Sequence, residues 1–143
     1  IRPVETELRV RYAETDRMGV VHHSVHFVWF EMRRTEYCRA AGFSYAELES
    51  TRRIFLVVAE IRCRYRAPAT YDDRVLLTTR ATEVSNRRVR FEYELRHADG
   101  GRVIATAETT HIPVNSEGRP TTLPSVYVDQ LRSFAGVDVP AGG

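Results

Sequence analysis

Lysine is missing altogether: every one of the 21 basic residues in this 143-residue chain is arginine. Amine nucleophiles and Schiff-base chemistry are thereby excluded, and planar guanidinium forks are left to meet any phosphate or carboxylate. Cysteine is scarce. Cys38 and Cys63 are the only two, and both fall in apolar patterns that read as small buried hydrophobes rather than a disulfide or a metal pair. With no cross-link expected, the compartment implied is the cytoplasm. No apolar run approaches the roughly 18 residues of a membrane helix, and no charged-then-apolar leader opens the sequence, so stable membrane insertion is not expected. A strong net charge is lacking too. The 19 acidic residues leave a balance of +2, which argues against a nucleic-acid surface while allowing a local arginine patch for a phosphorylated small molecule.

What is present is 43% hydrophobic and 10% aromatic residues, enough to fill the core of one domain spanning 1–143. Alternation from Val4 to Tyr12 predicts a first strand. Ser24 is a good N-cap and Gly42 a good residue to follow a helix, and the stretch 25–41 between them holds no Gly or Pro; it predicts a helix of about 25 Å. Ser44 to Thr51 predicts a second, short helix, with Ser44 and Glu47 forming a capping box. Ile54 to Arg66 reads as a strand with Ile61, Cys63 and Tyr65 on a buried face and Arg62, Arg64 and Arg66 on a wet one.

Three more strands are predicted over Asp73 to Val84, Val89 to Ala98 and Arg102 to Val114. The turns Ser85-Asn86 and Asp99-Gly100-Gly101 should join them as antiparallel neighbours. The clearest two-residue period is Val89, Phe91, Tyr93 and Leu95 against Arg90, Glu92, Glu94 and Arg96. A polar loop over Asn115 to Pro120, a helix over Pro124 to Phe134 and a frayed tail from about residue 135 complete the reading. The whole is an α+β fold: a five-stranded antiparallel sheet covered by the long helix through Phe27, Phe30, Tyr37, Cys38 and Ala41.

Chemistry concentrates between Tyr12 and Gly42. An acidic triplet, Glu14-Thr15-Asp16, precedes a glycine turn at Gly19, paired His22 and His23, and the start of the long helix. A carboxylate and a helix N-terminus can then converge on one carbonyl, because the helix dipole favours negative charge there and preorganised N–H groups stabilise a developing oxyanion. A competing reading uses His22 and His26, four apart, with Asp16 or Glu14 as a metal site; without a fixed carboxylate spacing that pattern is weak.

The segments Tyr12-Ala13-Glu14-Thr15-Asp16, Gly19-Val20-Val21-His22-His23-Ser24, Trp29-Phe30-Glu31 and Arg34-Thr35-Glu36-Tyr37, then Tyr65-Arg66-Ala67-Pro68-Ala69 and Tyr71-Asp72-Asp73, together resemble a known signature. It is that of the 4-hydroxybenzoyl-CoA thioesterase-like family of the hot-dog fold, which includes Tol-Pal-associated acyl-CoA thioesterases. The resemblance implies a sheet wrapped around a central helix, a homodimer or homotetramer with sites at the dimer interface, and cofactor-free hydrolysis of an acyl-CoA. It also implies roles. Asp16 would be nucleophile or general base, the His23 N–H an oxyanion donor, and Tyr12 a lining residue of the same site. Gly19, Val20 and His26 would contact substrate, and Arg87 and Arg88 the CoA phosphates. Val25 and His26 stand where many members have Asn then Tyr, which bears on the acyl pocket. The alternatives are a non-catalytic acyl-CoA binding module and a metal-binding protein using His22 and His26.

Overall fold

The structure, a computed structural model, describes residues 4–136. Strand β1 (Val4–Arg9) is followed by a single 3-10 turn (Tyr12–Glu14) and helix α1 (His23–Ala40). Helix α2 (Tyr45–Thr51), strands β2 (Phe55–Tyr65), β3 (Arg74–Val84), β4 (Val89–His97) and β5 (Val103–Val114), and helix α3 (Ser125–Ala135) complete the chain. β1 ends before Tyr12 because Val10 leaves the ladder to bond with the segment before β3: its N–H donates to the Asp73 C=O at 2.9 Å and its C=O accepts from the Asp72 N–H at 3.0 Å.

All five strands form one antiparallel sheet in the order β1-β3-β4-β5-β2. The inward side chains of β4, namely Val89, Phe91, Tyr93 and Leu95, are buried, and α1 lies on them. Phe30 stacks on Tyr93 with ring centroids 4.6 Å apart, and Tyr37 meets Phe91 edge-on at 5.6 Å. This is the sheet-around-helix arrangement of the hot-dog fold. α3 shares the covering work: Tyr127, Val128 and Leu131 are buried, and Phe134 sits edge-on to Tyr37 at 5.0 Å. The frayed tail expected from about residue 135 lies, beyond Gly136, outside the described residues.

Gly42 ends α1 as expected. Its φ of +114° is open to glycine, and the two bonds that close the helix, Gly42 N–H to Arg39 C=O at 3.1 Å and Phe43 N–H to Cys38 C=O at 3.2 Å, make a Schellman motif. The other end corrects the sequence reading. The N-cap is His22, not Ser24: the His22 Nδ1 accepts the Ser24 N–H at 3.2 Å, so a ring nitrogen does the work of the expected hydroxyl. At α2, Ser44 is the N-cap but makes no side-chain cap bond, and the expected capping box is not formed.

β2 corrects a second expectation. Ile61 is 43% exposed and Tyr65 45%, while Cys63 is half-buried, so the face predicted to be buried is largely open. The reason is position: β2 pairs with β5 on one side and borders no strand on the other. Val57 and Val58 are exposed as well, next to a bulge between Val58 and Glu60. Cys38 and Cys63 are both free thiols. Among the described residues, no helix is long and apolar enough to cross a membrane.

Candidate active site

Asp16 opens a tight turn. The Gly19 N–H donates to the Asp16 C=O at 2.9 Å, the Asp16 N–H to the Val20 C=O at 2.9 Å, and the Met18 N–H to Asp16 Oδ1 at 2.8 Å. Gly19 adopts φ +81° with open space around it, so glycine is needed there for backbone freedom and not for room. The half-buried Asp16 side chain therefore caps its own turn through one oxygen. Its other oxygen, Oδ2, accepts no hydrogen bond among the described residues.

The turn is held against the helix by backbone and by one buried carboxylate. Val21 N–H donates to Ala69 C=O at 2.8 Å and His22 N–H to Glu14 C=O at 3.0 Å. Glu14 itself is buried; it accepts the Arg11 N–H at 2.7 Å and the Trp29 indole N–H at 2.8 Å. Burial alone would raise its pKa, but the bonds from the Arg11 backbone, the Trp29 indole and the Arg11 guanidinium outweigh it and hold the carboxyl below the usual carboxylate range. Charged Glu14 thus ties the 3-10 turn to the second turn of α1. Sequence reasoning missed this pair. The signal available was the chain's single tryptophan on a helix face, since a buried indole needs an acceptor.

A helix start leaves four backbone N–H groups without intrahelical partners. Here three of the four are met: His22 N–H by the Glu14 C=O and Val25 N–H by the His22 C=O, each at 3.0 Å, and Ser24 N–H by His22 Nδ1. The fourth, His23 N–H, donates to no acceptor among the described residues. An unmet donor at the positive end of an 18-residue helix is a ready anion site.

Gly19 and Val20 belong to the Asp16 turn, and Val20 bridges to Thr70. Tyr12 sits in the same loop, 76% exposed, with its ring edge-on to Tyr71 at 5.6 Å. His26 is buried; its ring lies 5.0 Å from Tyr65 and 5.6 Å from Trp29, and burial pushes its pKa down. It is a neutral imidazole at physiological pH. The metal reading loses its ligands: His22 is occupied as a cap, and no group of three or more His, Cys, Asp or Glu side chains suited to a metal ion forms among the described residues.

Arg87 and Arg88 are not brought to this site. They follow Ser85 in the β3–β4 turn, whose Oγ accepts both of their N–H groups at 3.3 and 3.1 Å, and Arg88 is ion-paired with Glu83 at 3.0 Å. That turn is at the far end of β3 from the Val10–Asp73 contact. β3 is 11 residues long, roughly 35 Å at about 3.3 Å per residue.

The family described as the Thioesterase-like superfamily matches residues 10–131. The acyl-CoA thioester hydrolase YbgC of Escherichia coli O6:H1 is 30% identical over 126 residues, which is 87% of this chain and 92% of that protein. Among solved structures, the hypothetical protein TT1821 of Thermus thermophilus superposes with a TM-score of 0.83 at 35% identity, over 91% of this chain and 98% of that one. DHNA-CoA thioesterase of Staphylococcus aureus superposes with a TM-score of 0.82 at 29% identity, over 96% and 97% of the two chains.

Proposed function

Because the chain belongs to the thioesterase-like superfamily, we propose that it is an acyl-CoA thioesterase of the cytoplasm, one domain over 1–143 that cleaves the thioester to free acid and CoA. The observation that carries the mechanism is the unmet His23 N–H at the helix end held against the Asp16 turn. The carbonyl oxygen takes that donor. Asp16 Oδ2, free while Oδ1 is anchored by Met18, attacks the carbonyl carbon or takes a proton from the water that does. Negative charge moves to the carbonyl oxygen, where the N–H and the helix dipole stabilise it. The thiolate then departs; it is a good leaving group and requires no strong acid. On the nucleophilic route water then cleaves the acyl-aspartyl anhydride, releasing the acid and restoring the carboxylate, whereas on the general-base route the acid forms directly and the proton taken by Asp16 passes to the thiolate or to solvent. Tyr12, Gly19, Val20 and His26 line the acyl end, and no cofactor enters the scheme.

A hydrolysis panel over short, medium, long and aromatic acyl-CoAs, read by thiol release, tests this. Turnover of at least one class is expected, with kcat/KM of about 10⁴ M⁻¹s⁻¹ or more. Tight binding of acyl-CoA with no thiol release from any class would establish the non-catalytic binding module instead.

The working unit is a homodimer or homotetramer. β2 leaves one ladder edge open and exposes Val57, Val58 and Ile61, while Val28 and Met32 are exposed on α1; a second copy can cover such an edge. Arg87 and Arg88 lie at the far end of β3 from the Asp16 turn, and in this assembly they meet the CoA phosphates bound at the Asp16 of a neighbouring subunit. Light scattering should give the mass of a dimer or larger. A stable, active monomer would overturn both the assembly and the phosphate role of Arg87 and Arg88.

A further inference from the structure

Tyr65, the last residue of β2, donates its hydroxyl to the His23 C=O at 2.8 Å across 42 positions of sequence. His26 Nδ1 lies 3.2 Å from the same oxygen, and as a carbonyl only accepts, this nitrogen carries the proton. The two rings meet edge-on at 5.0 Å and 83°. We propose that Tyr65 is a positioning residue: its hydroxyl, backed by the His26 ring, fixes the first peptides of α1 and so aims the His23 N–H at the thioester oxygen. This rests on the reading of His23 as oxyanion donor.

The physical need for such a device follows from where the donor is. Terminal helical turns fray, whereas an oxyanion donor must hold its geometry to within about half an ångström to be effective. On the upstream side, Glu14 anchors the helix start by accepting the His22 N–H and the Trp29 indole. On the downstream side, among the described residues, Tyr65 supplies the long-range side-chain bond to the first helical residue. The His26 ring meets the tyrosine edge-on, and Trp29 stands 5.6 Å from His26. Loop, helix and edge strand thus close a ring of contacts around the His23 peptide. The phenol of Tyr65 is protonated at neutral pH, so it remains a donor throughout the working pH range.

Tyr65→Phe tests the proposal, because it keeps the ring and removes only the hydroxyl. Expected is a fall of about tenfold in kcat with KM and Tm unchanged, together with displaced backbone amide resonances for His23 and Ser24 in the substrate-free protein. A lowered Tm with kcat intact would make Tyr65 a purely structural residue and overturn the proposal, as would amide resonances that stay in place. An inactive wild-type protein would remove the thioesterase reading itself, whereas an active wild type with an equally active Tyr65→Phe would remove only this inference.

Discussion

Replacing Asp16 by Asn is expected to lower kcat at least about a hundredfold, a loss on the order of 3 kcal/mol of transition-state stabilisation, while the protein stays folded. The substitution is nearly isosteric. Its amide oxygen can still accept the Met18 N–H that Asp16 Oδ1 accepts at 2.8 Å, so the turn survives, but the side chain no longer offers an anionic oxygen for attack or proton removal. His23→Ala should retain more activity than Asp16→Asn, because the proposed donor is the backbone N–H. Parallel measurements of kcat and thermal stability on both variants decide the matter. Near-wild-type turnover by folded Asp16→Asn would sink the mechanism, and the reverse ranking of the two variants would transfer the chemistry to the imidazole.

Acidification should destabilise the fold steeply below about pH 6.5, and the main cause is His111. This β5 residue is fully buried, with Nε2 2.8 Å from the Thr109 Oγ1. Burial first, and the nearby Arg34 charge second, push its pKa from 6.5 to about 3. Between those values the unfolded chain binds a proton that the folded chain refuses. Stability present above pH 6.5 is therefore lost at about 1.4 kcal/mol per pH unit, on the order of 5 kcal/mol over the window. His26, also shifted down by burial, adds to the loss with the same sign. Glu14, held below 4.5, extends it as the pH drops beneath that value. Urea unfolding at a series of pH values measures the slope. His111→Phe, which keeps an aromatic ring and deletes the titrating nitrogens, should flatten it by about one proton; an unchanged slope would mean that His111 is not the group responsible.

The parts of the fold that could be read from residues are those whose physics is local. Val89, Phe91, Tyr93 and Leu95 alternate because β4 is central and one of its faces meets α1. Gly42 marks the helix end because only a left-handed residue completes that cap. The misses arise where the deciding partner is distant or where topology intervenes. β2 carries the same alternation as β4, yet the face expected to be buried stays open, since a strand's place at the edge or the centre is set by the order β1-β3-β4-β5-β2 rather than by composition. The same limit applies at the site. Asp16, Gly19 and His23 stand together along the chain and could be nominated as a group, whereas the Glu14–Trp29 bond spans 15 positions and the Tyr65–His23 bond 42. The phosphate role of Arg88 follows from the resemblance, and its pairing with Glu83 depends on a hairpin register that residue type does not reveal. His22 as a cap is not legible in the sequence, because an imidazole caps through one ring nitrogen in one orientation.

The strand order also bears on how the molecule is made. β3, β4 and β5 form a meander of near neighbours, but β1 must find β3 with Val4 opposite Thr79, and β2 must find β5 with Phe55 opposite Val114. During synthesis the loop around Asp16 and α1 therefore leave the ribosome well before the strands on which they will rest. At about 5–20 residues per second, the apolar side of α1 waits several seconds for β5 to emerge. Loop closure over such separations slows folding further. The Asp16 turn and the start of α1 are thus translated before the strands that hold them, and for that interval Trp29, Phe30 and Tyr37 are surfaces for a chaperone to hold.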